Sequence, residues 1–171
     1  QSRKMGKLIK SEVWLKMDFL QPSGSFKLRG ISHACKQYIK EGAKEFISSS
    51  GGNAGMAVAY SGRLLNIPVT VVVPETTKKI AINMIKDEGA NVIVNGRNWD
   101  EAHLHAKSLV NNKNKYIHPF DDPYLWEAYS WIINEIIQDG VIPDTIVLSV
   151  GGGGLLCGIA EGLKKNNLSQ T

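Results

Sequence analysis

The sequence predicts an α/β protein built from open, mostly parallel sheets with helices on both faces. Three observations carry this. Segments of strand and helix pattern alternate along the whole chain, and that alternation builds parallel sheets covered by helices. Pro68 to Val73 is a continuous β-branched apolar run, as in a strand buried on both faces. Lys27, Asn53 and Gly151 each follow a predicted strand and precede a predicted helix, which places all three at the ligand-binding mouth of a sheet.

The elements follow in order. Val13-Trp14-Leu15-Lys16-Met17 predicts a strand. Ser25 to about Lys40 predicts a helix, with Ser23 or Ser25 as N-cap and Gly42 as its stop. Glu45 to Ser49 is a short strand, and the alanine-rich stretch Asn53–Leu65 a helix able to pack closely. Pro68–Val73 is the buried strand; Lys78–Glu88 is a helix closed by Gly89; Asn91–Val94 is a strand. Trp99–Asn111 is a helix with apolar positions at Ala102, Leu104, Ala106, Leu109 and Val110, and Tyr116-Ile117 is a short strand. Asp121-Asp122-Pro123 caps a helix reaching about Gln138. Thr145–Val150 predicts a strand and Leu155–Lys165 the last helix.

Composition narrows the function classes. The 171 residues suffice for one domain with a core, and 43% hydrophobic with 21% charged residues is a globular balance. The net charge of +4 favours anionic small molecules. The short pairs Lys78-Lys79 and Lys164-Lys165 are not interleaved with aromatics, so nucleic acid is not an expected partner. Cys35 and Cys157 form no CxxC spacing, so no metal site is expected; reduced thiols in a cytoplasmic setting fit, and both cysteines read as packed helix residues. No apolar run reaches membrane-spanning length, and no leader pattern opens the chain. It begins at Gln1 and stops soon after a glycine-rich turn, so both ends read as cut.

The chemistry concentrates in three loops. Lys27 follows Pro22-Ser23-Gly24-Ser25-Phe26 at a helix start, where the helix field disfavours an ammonium and favours the neutral, nucleophilic amine. Gly151-Gly152-Gly153-Gly154 presents backbone N–H groups with no side chain in an anion's path. As a mere turn, four glycines would be entropically costly. No Gly-Lys-Ser/Thr follows, and Leu156 stands where a dinucleotide fingerprint needs glycine. Ser49-Ser50-Gly51-Gly52-Asn53-Ala54-Gly55 combines hydroxyls with N–H groups at a helix start and suits a carboxylate; its blander reading makes Asn53 a helix N-cap. One such lysine with two anion-cradling loops is the set a pyridoxal phosphate enzyme requires. His33, His103, His105 and His118 sit in no motif, and Trp14, Trp99, Trp126 and Trp131 read as packing residues.

Together with His118-Pro119-Phe120-Asp121-Asp122-Pro123, these loops resemble the L-serine dehydratase/threonine deaminase family. That family lies within the fold type II, tryptophan synthase β-like pyridoxal phosphate enzymes, and the likeness runs over essentially the whole chain. The resemblance implies roles. Lys27 would carry the internal aldimine and act as base at Cα. Phe26 would pack on the pyridine ring and Asn53 would bond the ring hydroxyl. Gly151, Gly152, Gly153, Gly154 and Leu155 would hold the cofactor phosphate. Ser49, Ser50, Gly51, Asn53 and Ala54 would receive the substrate carboxylate. The implied reaction is β-elimination and deamination of L-serine, or L-threonine, to pyruvate or 2-oxobutyrate and ammonia. A small-molecule amino acid is the expected partner, with a homodimer as the expected assembly.

Two departures from the family bear on this. Its members are about twice this length, so residues 21–124 would form a small domain. Residues 1–20 and 125–171 would form only part of a large one, with an exposed apolar face. The family also usually has Trp-Glu-Gly-His where this chain has Trp126-Glu127-Ala128-Tyr129, a change expected near the ligand mouth. These departures motivate a truncated, non-catalytic homologue or interaction protein as the alternative. A serine racemase-like enzyme shares the lysine and loop logic.

Overall fold

The computed structural model describes residues 1–168. Its centre is a parallel sheet of β1 (Glu45–Ser48), β2 (Val69–Val73), β3 (Asn91–Val94) and β4 (Asn114–Tyr116), in the order β3-β2-β1-β4. The register pairs Phe46 with Val69, Ile47 with Thr70 and with Tyr116, and Val71 with Val92. Paired residues share a face, so the period of two sorts the sheet into two apolar surfaces. Phe46, Val69, Val71 and Val73 meet α2 (Lys27–Lys40), α3 (Asn53–Leu65) and α4 (Lys79–Asp87) through Ile31, Cys35, Ala57, Val58 and Ile85. Ile47 and Val72 meet α5 (Trp99–Ser108) through Ala102 and Ala106. The central strand β2 is buried at every position, as its unbroken apolar run requires.

The helices stop where local chemistry dictates. Gly42 and Gly89 take φ of +98° and +85° after α2 and α4, values at which any other residue is strained. α6 (Pro123–Gln138) starts with Asp122 accepting from Tyr124 N–H at 2.9 Å and with Pro123 in its first turn. α6 packs on α7 (Gly154–Lys165) around a separate small core of Ile132, Ile133 and Ile159.

Several sequence expectations are corrected. Val13–Met17 and Thr145–Val150 are not strands; Trp14 is 52% and Val147 92% exposed. A β-branched stretch becomes a strand only where its N–H and C=O groups find a ladder, and neither stretch pairs with one among the described residues. A short helix α1 (Arg3–Ile9) and a 3-10 turn Asp18–Leu20 occupy the N-terminal region instead. Neither Ser23 nor Ser25 caps α2: its cap is Phe26, and both serine hydroxyls are buried without a hydrogen-bond partner. Trp14 is not a packing residue, and Cys157 is an exposed thiol while Cys35 is buried. Leu15, Phe19 and Leu20 towards the N-terminus and Val147 and Val150 towards the C-terminus are each more than half exposed.

Candidate active site

The strand order places the site. The chain winds from β1 through β2 to β3, then returns on the opposite side of β1 as β4. The winding therefore reverses between β1 and β4, and it is beyond the carboxyl ends of strands at such a switch point that open α/β sheets bind ligands. Ser49 and Ser50 leave β1 there, and Ile117 to Phe120 leave β4 there.

Lys27 is the first residue of α2 and is half-buried. Burial lowers its pKa below the ordinary lysine range, because an ammonium loses hydration that a neutral amine does not need. Its Nζ donates a hydrogen bond to the Pro119 carbonyl oxygen and stands 5.2 Å from the centroid of the Phe26 ring. The segment it reaches is itself fixed. His118 Nδ1 accepts from the N–H groups of Phe120 at 3.3 Å and Asp121 at 2.8 Å, which assigns the imidazole proton to Nε2. Trp126 Nε1 donates to the Phe120 carbonyl at 2.8 Å.

The tetraglycine closes on that same segment. A Cβ on Gly152 would stand 2.3 Å from the Phe120 ring, and one on Gly154 would stand 2.5 Å from the Phe120 carbonyl oxygen. Gly153 has φ +83°. Three of the four positions therefore demand glycine, two for space and one for its backbone angle. Gly151 has open space where a Cβ would be. No side chain caps α7, so its first N–H groups are available to an anion. Lys27 and the glycine turn, far apart in sequence, thus meet on the consecutive residues Pro119 and Phe120.

The third loop is held equally tightly. A Cβ on Gly55 would fall 1.8 Å from the Ser50 carbonyl oxygen, and one on Gly51 would fall 2.5 Å from Thr77. The Ser50 hydroxyl accepts from Gly52 N–H at 3.3 Å. Gly52, not Asn53, is the N-cap of α3; Asn53 is exposed, and its amide has no hydrogen-bond partner among the described residues. Ala54 is buried against the sheet, and Leu155 is half-buried in the first turn of α7. Ser49 turns away from the mouth: it is fully buried, with its hydroxyl 2.5 Å from Tyr116 OH.

Ala128 and Tyr129 are wholly buried, and the Tyr129 ring meets Phe26, the neighbour of Lys27, edge-on at 5.3 Å. His118, given no role by any motif, organises the segment that carries Pro119 and Phe120. Tyr116 and His103 were also silent in the sequence, since their partners are distant in the chain. The only available hint was that β4 runs straight into His118-Pro119-Phe120.

A partly desolvated lysine, a side-chain-free glycine turn and a serine–glycine loop at a switch point of the sheet are the arrangement expected of a lysine-anchored cofactor site. The comparisons with known proteins carry this further. The family described as "Pyridoxal-phosphate dependent enzyme" matches residues 1–170, and the chain belongs to that family. It is 51% identical to L-serine dehydratase of Dictyostelium discoideum over 96% of this chain and 52% of the relative. It superimposes on a fungal L-serine ammonia-lyase from Rhizomucor miehei with a TM-score of 0.91 and 34% identity, covering 97% of this chain and 54% of that one. Serine racemase from Dictyostelium discoideum matches with a TM-score of 0.87 and 31% identity over 95% and 54% of the two chains. The fold is that of the fold type II enzymes, and the chain spans about half the length of the curated relatives it matches.

Proposed function

We propose that this chain is the lysine-bearing part of a pyridoxal phosphate-dependent ammonia-lyase that converts L-serine to pyruvate and ammonia, and L-threonine to 2-oxobutyrate and ammonia. The observation that carries the proposal is the meeting of Lys27 and the tetraglycine on Pro119 and Phe120. The residues fit the cofactor: a half-buried amine whose burial lowers its pKa, and a glycine turn with an uncapped helix behind it. Pyridoxal phosphate, when bound, supplies the electron sink into which the Cα–H bond breaks.

The chain's own groups do the rest. Lys27 Nζ would anchor the cofactor and, once freed by the substrate amine, would take the proton from the substrate Cα and could pass it to the β-hydroxyl, which leaves as water, a task that suits an amine with a lowered pKa. Gly151, Gly152, Gly153, Gly154 and Leu155 hold the phosphate. Phe26, braced by Tyr129, would pack on the ring, and the Asn53 amide would bond the ring hydroxyl. Ser50, with the backbone of Ser49, Gly51, Asn53 and Ala54, takes the carboxylate. Residues 21–124 form the small domain, and residues 1–20 and 125–171 belong to the large one, a division favoured by the separate core between α6 and α7. Cytoplasmic residence and pairing with a second copy belong to the same proposal; the free thiols and the exposed apolar residues favour them.

The test is a visible spectrum with added pyridoxal phosphate, then borohydride reduction and peptide mapping. A yellow adduct fixed on Lys27, with pyruvate formed from L-serine, is expected. Label scattered over surface lysines, or no colour, would leave the non-catalytic homologue as the better account. Conversion of L-serine to D-serine without pyruvate would favour the racemase-like one.

A further inference from the structure

Behind the mouth lies a polar cluster that the lysine and the glycine turn do not use. Ser49, Tyr116 and His103 come from the end of β1, the end of β4 and the middle of α5. Ser49 Oγ lies 2.5 Å from Tyr116 OH, and Tyr116 OH lies 2.7 Å from His103 Nδ1. Trp99 stacks on the His103 ring at 4.7 Å with 20° between the planes, which fixes the ring's tilt. His118 approaches His103 edge-on at 5.8 Å.

Proton counting orders this chain. In a neutral imidazole one ring nitrogen donates and the other accepts, and a phenol is a stronger donor than a serine hydroxyl. With the His103 proton on Nε2, Tyr116 O–H donates to Nδ1 and Ser49 O–H donates to the Tyr116 oxygen; a proton on Nδ1 would reverse the order. Each donation polarises the next, which strengthens both of these part-buried bonds. The chain pins Ser49, whose neighbour Ser50 carries the loop over Gly51 to Gly55. That loop accepts no other side-chain anchor among the described residues except the Gly52 N–H bond to Ser50.

We propose that Tyr116 and His103 are positioning residues that act through Ser49 to hold the 49–55 loop in its anion-binding form, with the His103 proton on Nε2. The loop's role rests on the function proposed above; the hold on Ser49 does not. The decisive experiment therefore begins with the unloaded chain. Y116F and H103L should each raise amide exchange at Gly52 and Met56, the hydrogen-bonded amides of the loop and of the first turn of α3, by about tenfold, the loss expected for one hydrogen bond. H103N, whose side-chain oxygen can stand where Nδ1 stood, should restore exchange to near the parent rate. Nitrogen-15 shifts should show the Nε2–H tautomer in the parent. Unchanged exchange in both Y116F and H103L overturns the proposal, as does H103N behaving like H103L or an Nδ1–H tautomer. In the cofactor-loaded enzyme, Y116F should raise KM for L-serine several-fold and leave kcat within about twofold, the sign of lost ground-state binding. Faster exchange with KM unmoved overturns the anion-binding part of the proposal. An inactive parent defeats the proposed function and leaves the exchange and tautomer measurements to judge the hold on Ser49.

Discussion

Replacing Gly30 with alanine sets two effects against each other. Alanine favours a helix interior over glycine by about 1 kcal/mol, so in open space the change would stabilise α2. Here the new Cβ would stand 2.6, 2.8 and 2.9 Å from Cζ, Cε1 and OH of Tyr129. Carbon atoms prefer about 3.5–4.0 Å, so the overlap is on the order of 1 Å. The ring has nowhere to retreat. It is fully buried, it meets Phe26 edge-on, and a Cβ on Gly158 would stand only 2.3 Å from its own Cβ. Overpacking of this kind costs about 1–3 kcal/mol, and an immovable ring puts it at the upper end, near ~3 kcal/mol. Subtracting the helix gain leaves a net destabilisation of about 2 kcal/mol. In a Y129L background the overlap is gone, so the same G30A change should stabilise by about 1 kcal/mol. The coupling between the two sites is then about 3 kcal/mol, read from a double-mutant cycle of urea denaturation curves. G30A as stable as the parent, or the same shift in both backgrounds, would refute the steric reasoning. Since Tyr129 braces Phe26, G30A should also weaken cofactor capture at Lys27.

Other perturbations have equally definite outcomes. The Arg29 guanidinium binds Asp18 at 2.8 and 3.0 Å and Glu135 at 2.5 and 2.9 Å, while Lys16 reaches Glu135 at 2.6 Å. This clasp ties the N-terminal segment to α2 and α6 and is only partly exposed, so R29M should cost about 1–3 kcal/mol by denaturation, between the surface and buried limits; a loss below about 0.5 kcal/mol would show that solvent screens it. G55A should release the 49–55 loop, because no rotation relieves a Cβ 1.8 Å from the Ser50 carbonyl; loop amides as protected as in the parent would contradict this. Burial lowers the Lys27 pKa, so the unfolded chain binds the extra proton and stability should rise with pH between the depressed value and the ordinary 10.5; K27M should flatten that rise. Burial likewise lowers the pKa of His103 and of His118, so stability should fall as pH drops through the ordinary histidine value of 6.5; the fall should be shallower in H103N, and an equal slope would refute the contribution of His103.

Much of this architecture is legible in the sequence because it rests on local causes. The apolar run through Val69–Val73, the Asp122-Pro123 cap and the stops at Gly42 and Gly89 each follow from short-range sterics and burial, and the structure keeps them. Lys27 and the glycine turns are visible for the same reason: their residue types are costly unless a ligand or a close approach repays them. Tertiary structure decides what local chemistry cannot. Val13–Met17 and Thr145–Val150 have strand composition, but a strand also needs a neighbour's backbone. The reversal of winding at β4, which sets the switch point, is a matter of sheet order that no segment encodes alone. The seat of Lys27 on Pro119, the closure of Gly152 on Phe120 and the chain from Ser49 through Tyr116 to His103 join residues distant in sequence. Hydrogen bonds and contact distances act through space, so these partners become visible only once the sheet has brought them together.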